Sequence, residues 1–434
     1  MPTARNSVSL LPILSVNFVG TLGFSIVLPF LVFLVTEWGG NALVYGLMGA
    51  TYSAFQLVGA PVLGRWSDRV GRRRVLLVSQ IGTLVSWLIF LTAMVLPVDP
   101  LLEVDSHLVG RFTLTLPLVV LFLARAIDGV TGGNVSVANA YLADVSDEED
   151  RNANFGKMAV STNLGFVLGP VLAGVLGATA WGARLPVLAA LSISLVATLL
   201  IWRGLPESKP CVLARDPEHT NVRKVFGQEQ KECFRMAGPR VPIGRLLATL
   251  PCVRPLLAAN FLVMLGFNFF YVAFPIHAVT NLGWSVAQTG TFFAAMGLMM
   301  VVVQGPVLAR ASRRWSDGAL AVAGSLVLAA SFAFYVSPDP LTIYAGTALL
   351  ALGNGLMWPS LSSLLSKAAG EESQGAVQGF ASSAGSVASI LGLLAGGVLF
   401  EGLASRLFLL SAASILMVFA LTLWIRRKPE VFAA

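Results

Sequence analysis

The sequence predicts an all-α integral membrane protein of 12 transmembrane helices, arranged as two six-helix bundles with both termini in the cytoplasm. Composition points to a membrane protein: 56% of the 434 residues are hydrophobic and 12% are charged, whereas soluble domains carry roughly 25% charged residues. The apolar residues form runs of about 20 residues or more, which is the length that crosses a bilayer. The basic residues gather at alternate ends of these runs.

The apolar runs divide the chain into two sets of six, with a polar segment between them. In the first half we expect spans at 10–36, 43–64, 75–97, 114–142, 154–179 and 185–203. In the second half we expect them at 252–279, 288–309, 318–336, 341–366, 375–400 and 406–425. The polar segment is rich in Pro, Gly and Arg, which predicts a cytoplasmic linker. The predicted domains are an N-terminal bundle over 1–203, the linker over 204–251 and a C-terminal bundle over 252–434.

The distribution of Lys and Arg tests this number of spans, because cytoplasmic loops of membrane proteins carry an excess of both. With the N-terminus inside, 25 of the 29 basic residues fall on the cytoplasmic side. The outside loops hold Arg111, Arg184 and Arg406, and Arg125 lies within a span. This asymmetry favours an even number of spans and a cytoplasmic N-terminus.

An internal repeat relates the two halves. Three glycines of the first half match three of the second at one offset of 223 residues: Gly132, Gly169 and Gly174 with Gly355, Gly392 and Gly397. Nearer the start of each half, Pro61-Val-Leu matches Pro306-Val-Leu at an offset of 245. Parallel repeats of six spans predict two similar bundles around a central cavity.

The loop after the second span carries the most specific motif. It reads Gly64-Arg-Trp-Ser-Asp68-Arg69-Val-Gly71-Arg72-Arg73-Arg74. An ordinary basic helix end needs neither the aspartate nor the glycines. The loop resembles the signature of the major facilitator superfamily, G-x-x-x-D-R-x-G-R-R. This resemblance implies the major facilitator fold, in which two six-helix bundles surround a central cavity.

The fourth and fifth spans extend the resemblance. The fourth carries Arg125-Ala-Ile-Asp128-Gly129-Val-Thr-Gly132-Gly133, and the fifth carries Gly165-x-x-x-Gly169-Pro170-x-x-Ala173-Gly174. The latter is similar to the G-x-x-x-G-P-x-x-G-G pattern of the drug:proton antiporter branch, and the chain most resembles the bacterial tetracycline efflux proteins in that branch. Small residues at this spacing also let helix backbones approach closely, so the run serves packing, antiport or both. Gly20 and Ser86 stand where those proteins carry acidic residues, which argues against tetracycline itself as the substrate.

Ionisable groups cost about 2.5–3.5 kcal/mol each inside a membrane, so the few that remain are candidates for function. Three lie well inside the spans: Arg125, Asp128 and His277. Arg125 keeps its proton, and a lone helical histidine is more often a packing residue. Asp128 lies one helical turn from Arg125, so a change in their separation would change the proton affinity of the carboxyl. We expect these two residues to couple transport to protons; a static ion pair that only fixes packing is the alternative.

We also expect a conformational gate at the cytoplasmic end of the first half. Asp144 ends the fourth span on the side where the signature loop lies. We predict that Asp144 pairs with Arg69 or Arg72, and that Asp68 lies near a helix N-terminus of the second bundle. The expected gate residues are Gly64, Asp68, Arg69, Gly71, Arg72, Arg73 and Asp144. A loop whose charges merely anchor the topology is the alternative.

Polar and aromatic stripes predict the walls of a substrate cavity. On the seventh span the residues at helical spacing are Asn260, Met264, Phe267, Asn268, Tyr271 and Phe274, with His277 one turn later. On the first span they are Asn17, Thr21 and Phe24. Such stripes are also typical of helix-packing faces. Met and Phe surfaces with a few amides suit amphipathic ligands of varied shape.

Together these features predict a secondary transporter that exports a small amphipathic compound or drug in exchange for protons. A carrier of the same fold for a metabolite is the main alternative, and a membrane-embedded enzyme or a receptor fits less well. The sequence contains no G-x-x-x-x-G-K-[ST], HExxH or GxSxG motif and no paired Cys/His spacing, so we expect no enzyme activity, no cofactor and no metal site. The expected partners are the substrate, protons and the lipid bilayer, without nucleic acid. We expect a monomer in a bacterial inner membrane.

Overall fold

The computed structural model describes residues 10–106, 109–132, 134–146, 148–208 and 253–427. Most of the predicted linker, from 209 to 251, lies outside these residues, as do both chain ends. Within the described ranges, nine helices are long and apolar enough to cross a membrane. Each predicted span falls on helical structure, but the count of 12 crossings stays a prediction.

The first half is helical apart from one outer loop. Its helices are α1 (Leu11–Ser25), α2 (Leu28–Glu37), α3 (Ala42–Val70), α4 (Arg72–Ala93), α5 (Leu116–Gly132), α6 (Asn134–Val145), α7 (Glu148–Gly177) and α8 (Arg184–Gly204). The fourth predicted span comprises α5 and α6. The first predicted span, 10–36, is divided into α1 and α2, because Pro29 lacks an N–H and fits the first turn of a new helix.

The loop between α4 and α5 corrects the all-α expectation. It contains an antiparallel hairpin of β1 (Pro100–Ser106) and β2 (Gly110–Thr115). Apolar residues at 102, 104, 112 and 114 alternate with polar ones, which is the pattern of a strand rather than of a loop. The backbone N–H of Thr113 donates to the carbonyl of Gly39 at 2.8 Å, and the Thr115 hydroxyl donates to that of Trp38 at 2.9 Å. These bonds fix the hairpin to the end of α2.

The second half contains the longest helix. Its helices are α9 (Val253–Thr280), α10 (Val286–Val302), α11 (Leu308–Ala311), α12 (Asp317–Phe334), α13 (Pro340–Leu403) and α14 (Leu407–Arg426). A π-helical turn, Val303–Val307, joins α10 to α11 and contains Pro306, whose missing N–H disturbs regular α-helical bonding. The predicted spans 341–366 and 375–400 both fall in α13. The residues between them contain no proline and mostly good helix formers, so nothing in that sequence ends the helix.

The two halves meet at close contacts made by glycines. A Cβ at Gly174 on α7 would lie 2.8 Å from the carbonyl carbon of Gly290 on α10. A Cβ at Gly46 on α3 would overlap the carbonyl oxygen of Leu393 on α13. Gly46 lies near the start of α3 and Gly174 near the end of α7. The halves therefore approach one another there at backbone distance.

Matched contacts support the internal repeat. Asn17 on α1 donates its amide hydrogen to the carbonyl of Met158 on α7 at 3.3 Å. Asn260 on α9 donates in the same way to the carbonyl of Ala381 on α13 at 3.1 Å. Met158 and Ala381 are 223 residues apart, which is the offset of the repeated glycines. The first and seventh predicted spans thus make equivalent bonds in their own halves.

Candidate functional site

A buried ion pair lies on α5 in the first half. Arg125 Nη1 lies 3.1 Å from Asp128 Oδ2, and the two residues are 5% and 6% exposed. Their separation of three positions places them on one face of the helix. The Arg125 guanidinium also stacks over the ring of Tyr52 at 4.5 Å, and the Thr83 hydroxyl hydrogen-bonds to Asp128. The pair is therefore held from α3 and α4 as well as from its own helix.

Asp128 forms part of the wall of a cavity of about 330 Å³. Every lining residue within the part of the chain that the structure describes belongs to the first half. The polar lining comprises Asn17, Thr21, Gln56, Gln80, Thr83, Asn134, Thr162 and Ser194 beside Asp128, and the aromatic lining comprises Tyr52, Trp87 and Phe166. A concave site with an apolar body and a few placed polar groups is the usual form of a small-molecule site.

The sequence analysis identified part of this cavity and missed the rest. Asn17, Thr21 and Asp128 were singled out from the sequence, and all three line the cavity. Gln56, Gln80 and Trp87 were not predicted, because no charge or motif marks their positions on α3 and α4. Burying an amide in an apolar span without a hydrogen-bond partner is costly, so glutamine is seldom found there unless it has a partner or lines a cavity. The position of Gln56 and Gln80 inside predicted spans is therefore the signal that points to them.

The stripe predicted on the seventh span packs within the second half. Asn268 donates to the carbonyl of Met264 at 2.7 Å and to Ser389 at 3.0 Å. Phe267 is buried, and its ring lies 6.1 Å from that of Tyr271. Neither these residues nor Asn260 and His277 line the 330 Å³ cavity. In this conformation the stripe is a helix-packing face rather than a wall of the substrate cavity.

His277 is 3% exposed and lies edge-to-face against Phe408 at 5.7 Å. Within the residues that the structure describes, neither ring nitrogen has a hydrogen-bond partner. The side chain of Phe24, the remaining predicted cavity residue, lies outside the described part of the chain. Aromatic packing is therefore the environment that the structure gives His277.

At the other end of the first half, Asp144 pairs with Arg72, one of the two partners, Arg69 or Arg72, that the sequence predicted for it. Arg72 Nε lies 3.0 Å from Asp144 Oδ2, and Arg72 Nη1 donates to Ser67 at 2.6 Å. Ser208 donates to the same carboxylate oxygen at 3.3 Å. All these groups belong to the first half, so the pair ties α3, α4, α6 and the segment after α8 together. Its role as a gate stays a proposal.

The other residues of the loop shape its backbone. Gly71 has φ of +104°, a conformation that L side chains rarely adopt, and a Cβ there would lie 2.5 Å from Glu207 Oε1. Glu207 accepts from the backbone N–H of Arg73 at 3.1 Å. Arg69 is exposed, a Cβ at Gly64 would have room, and the side chain of Asp68 is not among those described. The loop thus ends α3 and starts α4 in a sharp turn.

The small residues of α7 bring helices together, as their spacing predicts. A Cβ at Gly165 would lie 2.8 Å from Thr21 Cβ on α1, and one at Gly169 would overlap the Ser25 hydroxyl. Gly174 faces α10 of the other half, and Pro170 is buried inside α7. The same helix therefore packs on α1 on one side and on the second half on the other. This geometry fits both the packing and the antiport interpretation.

Comparison with known proteins extends over most of the chain. The tetracycline resistance protein of class C from Escherichia coli is 27% identical over 393 residues, which cover 90% of this chain and 89% of that protein. Multidrug resistance protein 1 of Bacillus subtilis is 24% identical over 426 residues, covering 96% of each. Human solute carrier family 67 member A1 is 27% identical over 408 residues, covering 92% of this chain and 87% of that one.

A solved structure and a family model agree with these relatives. The crystal structure of the human organic anion transporter MFSD10 (TETRAN) has a TM-score of 0.65 at 22% identity, covering 97% of this chain and all of that one, which shows a shared fold. The family model described as Major Facilitator Superfamily matches residues 13–249 and 256–433. The resemblance predicted from the signature loop and the fifth span is thereby confirmed: the chain belongs to the major facilitator superfamily, whose members are transporters rather than enzymes.

Proposed function

We propose that the protein is a proton-coupled exporter of a small amphipathic compound, working by alternating access as a monomer in a bacterial inner membrane. Its curated relatives include tetracycline and multidrug resistance proteins, which supports export. The proposed form has 12 spans, cytoplasmic termini, and bundles over 1–203 and 252–434 joined by the cytoplasmic linker. The observation that carries the proposal is the buried Arg125–Asp128 pair on the wall of the cavity.

This pair has the properties that coupling requires. Asp128 can be charged or neutral, whereas Arg125 stays positive. The strength with which Arg125 favours the charged carboxyl depends on their separation, which is 3.1 Å in this conformation. A change in the Arg125 side-chain conformation that lengthens this distance, as the surroundings of the pair change during transport, releases the carboxyl to take up a proton. Because Asp128 also lines the cavity, a substrate and a proton act on the same group.

The glycine contacts between the halves support the alternating-access part of the proposal. They join the halves at the ends of α3, α7, α10 and α13 that we assign to the outside. Backbone contact without intervening side chains lets two rigid bundles separate or close along a flat surface. The structure then corresponds to a conformation closed on that side. In this scheme the signature loop and the Arg72–Asp144 pair act at the opposite end, as the gate predicted from the sequence.

The second candidate is a carrier of the same family that moves a metabolite. The polar lining of the cavity favours it, because several amides and hydroxyls would suit a hydrophilic solute. Resistance profiling separates the two. A strain that overexpresses an exporter of toxic compounds tolerates more of at least one of them than a deletion strain does. Equal tolerance across a broad panel would favour the metabolite carrier.

Substitution of Asp128 tests the coupling. The compound selected by resistance profiling is supplied to liposomes that contain the purified protein, with and without an imposed proton gradient. We expect Asp128→Asn to exchange the compound but not to accumulate it against its gradient. Asp105→Asn is the matched control, because Asp105 is an exposed carboxylate paired with Arg111 on the hairpin. A folded Asp128→Asn protein with full gradient-driven accumulation would show that Asp128 is not the coupling residue.

Thiol labelling tests the topology independently. Cys211 and Cys233 lie in the predicted linker, outside the described residues, and should face the cytoplasm. An impermeant thiol reagent should therefore label them in broken cells and not in intact ones. Efficient labelling from outside intact cells would reverse the orientation.

A further inference from the structure

Two amides on the cavity wall are held in one orientation by partners that can only accept. Gln56 Nε2 donates to the backbone carbonyl of Gly132 at 3.1 Å, and Asn17 Nδ2 donates to that of Met158 at 3.3 Å. Because a backbone carbonyl has no hydrogen to give, the NH₂ group must face it. The amide oxygens, Gln56 Oε1 and Asn17 Oδ1, therefore point the other way.

Both oxygens are unpaired as far as the structure describes the chain. Among the described residues, no N–H or O–H donates to Gln56 Oε1 or Asn17 Oδ1, and neither atom is sealed from the cavity that both residues line. Two threonine hydroxyls close to Asn17 already donate elsewhere, and the Tyr52 hydroxyl lies on the amide side of Gln56, where it accepts from Nε2 at 3.2 Å. Thr21 donates to the backbone carbonyl of Asn17 at 2.8 Å, and Thr162 donates to that of Met158 at 3.1 Å. The wall thus presents acceptors that require donors from a ligand or from water.

The charge of the cavity wall also favours ligands that donate hydrogen bonds. Among the described residues that line the cavity, Asp128 is the one charged residue, and no Lys, Arg or His is present. Arg125 is already paired with Asp128 and stands behind it. An anionic ligand would meet acceptors and a carboxylate, which is costly in a partly buried site. A donor-bearing neutral or cationic group would meet partners that suit it.

The remaining lining selects the body of the ligand. Trp87 and Phe166 supply aromatic surface. The indole N–H of Trp87 can donate one hydrogen bond, so the cavity also tolerates a ligand that carries one acceptor atom. A volume of about 330 Å³ lies at the small end of the usual range for ligand sites. The geometry fits one or two fused rings with a short polar arm.

We propose that this cavity selects compounds with an aromatic body and at least two N–H or O–H donors, neutral or cationic, over anions of the same shape. Gln56 and Asn17 act as the specificity-determining acceptors beside Asp128. This inference rests on the proposed transport function for its biological meaning, but it concerns binding alone. The orientation of the Gln80 amide is not fixed in this way, because its partner is the Ser194 hydroxyl, which can donate or accept.

Three compounds that share an indole ring test the ligand class. Tryptamine carries an ammonium arm, tryptophol a hydroxyl arm and indole-3-acetate a carboxylate arm. Binding to the purified full-length protein is measured by calorimetry in detergent, without a proton gradient. We expect tryptamine to bind at least about tenfold more tightly than indole-3-acetate, since one charge-assisted hydrogen bond exceeds that difference, with tryptophol between them. Equal or tighter binding of indole-3-acetate, or no binding of either donor compound, overturns the proposal.

Two variants test the named acceptors. Gln56→Met keeps the length of the side chain and removes the acceptor, and we expect it to weaken tryptamine binding about fivefold to tenfold. The loss should be smaller for indole-3-acetate, which a general distortion of the cavity would not produce. Gln304→Met is the matched control, because Gln304 lies in the π-helical turn of the second half and does not line the cavity. If Gln56→Met and Gln304→Met changed tryptamine binding equally, Gln56 would not be a specificity-determining acceptor.

The outcomes separate this inference from the proposed function. If tryptamine binds as expected but no compound is accumulated with a proton gradient, the ligand class stands and the coupling proposal fails. If gradient-driven export is found while indole-3-acetate binds best, the transport function stands and the ligand class is wrong. The ligand series uses the unaltered protein, so neither result depends on whether a variant folds.

Discussion

The two halves of the molecule repeat the same contact with opposite charges. In the first half, Arg72 pairs with Asp144 at 3.0 Å. In the second half, Asp317 pairs with Lys367 at 2.7 Å. Asp317 follows Arg72 by 245 residues and Lys367 follows Asp144 by 223, which are the two offsets of the internal repeat. The position of the bond is thus retained although donor and acceptor have exchanged places.

The interiors of the halves differ far more. The residues that follow Arg125 and Asp128 by 223 positions are Ala348 and Ala351, so the second half has no counterpart of the buried pair. Its interior is instead filled with aromatic rings, in a cluster made of Phe270, Phe274, Phe292, Phe332, Tyr335 and Phe408. Helices at equivalent positions of the two halves can therefore have different roles. The first half carries a polar cavity and a group that can change charge, and the second provides a packed body against which it can move.

The largest expected effect concerns this aromatic cluster. Phe274 is fully buried and stacks on Phe292 with ring centroids 3.9 Å apart. Phe274→Ala removes a large buried side chain and should cost about 3–5 kcal/mol of stability. Tryptamine affinity should be almost unchanged in the protein that remains folded. Thermal unfolding in detergent, together with calorimetry, measures both quantities.

Trp87→Leu is the matched variant in the first half. Trp87 is 3% exposed, packs on Phe90 at 5.4 Å and lines the cavity. It should therefore change tryptamine affinity as well as stability. If Phe274→Ala weakened binding as much as Trp87→Leu did, the division of roles between the halves would be lost.

The sequence anticipated the elements whose signal is local. Long apolar runs predicted the helices, and the motif spacing predicted the Arg72–Asp144 pair, because both depend on residues close in the chain or on a recurrent loop. The β1–β2 hairpin was missed, since its alternating residues adjoin a long apolar run that begins at residue 114. The cavity was predicted between stripes of both halves, whereas its described walls come from seven helices of one half. Which face of a helix meets a cavity depends on the rotation of that helix, and polar periodicity alone does not determine it.

The second expected effect concerns the glycine contacts between the halves. Substitution of equivalent glycines in the two halves should weaken these contacts to the same extent. Gly174 on α7 and Gly397 on α13 are equivalent by the offset of 223. A Cβ would lie 2.8 Å from Gly290 at the first and 2.8 Å from the Ala42 carbonyl oxygen at the second. Gly174→Val and Gly397→Val should each oppose this conformation by about 1–3 kcal/mol, which is roughly a tenfold to hundredfold change in its population. Accessibility of a cysteine placed at position 286 reports the opening.

Gly402→Val is the control for both substitutions, because nothing lies within 4 Å of a Cβ at Gly402. It should leave the accessibility of the reporter and the transport rate unchanged. A strong effect of Gly174→Val with none of Gly397→Val would mean that the halves open along one pair of helices. The repeat would then describe the fold but not the motion.

The third expected effect compares the two ion pairs directly. The Arg72 side chain is 9% exposed, whereas that of Lys367 is 68% exposed. A double-mutant cycle with Arg72→Gln and Asp144→Asn should give a coupling of about 1–2 kcal/mol, because the pair is partly buried and charge-assisted. The cycle with Lys367→Gln and Asp317→Asn should give less than about 0.5 kcal/mol, because solvent screens it. Equal couplings, measured by thermal unfolding, would show that exposure does not distinguish the halves here.

The same variants test the gate. Asp144→Asn should impair transport, whereas Asp317→Asn should leave it near normal, because only the first-half pair anchors the signature loop. Normal transport by Asp144→Asn would mean that the charges of the loop serve topology or packing.

The smallest expected effect concerns how each half begins its fourth helix. In the first half, β2 ends at Thr115 and leads directly into α5, so the hairpin sets the start of the helix. In the second half, Asp339 caps α13 and accepts from the Thr342 hydroxyl at 2.7 Å and from the Thr342 N–H at 2.8 Å. These bonds, the hydroxyl first, hold the pKa of Asp339 below its ordinary value. A lowered pKa stabilises the folded protein above the pKa of the unfolded chain, and this contribution disappears as the pH falls through the folded value.

Asp339→Ala should therefore lower the unfolding temperature slightly at pH 7 and progressively less as the pH falls below about 4. Asp339→Asn keeps a capping oxygen but does not titrate, so it should retain most of the stability and lose the pH dependence. Thermal unfolding of the three proteins in detergent between pH 3 and pH 7 makes the comparison. If Asp339→Ala had no effect while shortening of the β1–β2 hairpin destabilised the first half, only one of the two halves would depend on its outer connection. If the two changes lowered the unfolding temperature equally, the short capped turn and the long hairpin would stabilise the start of equivalent helices to the same extent.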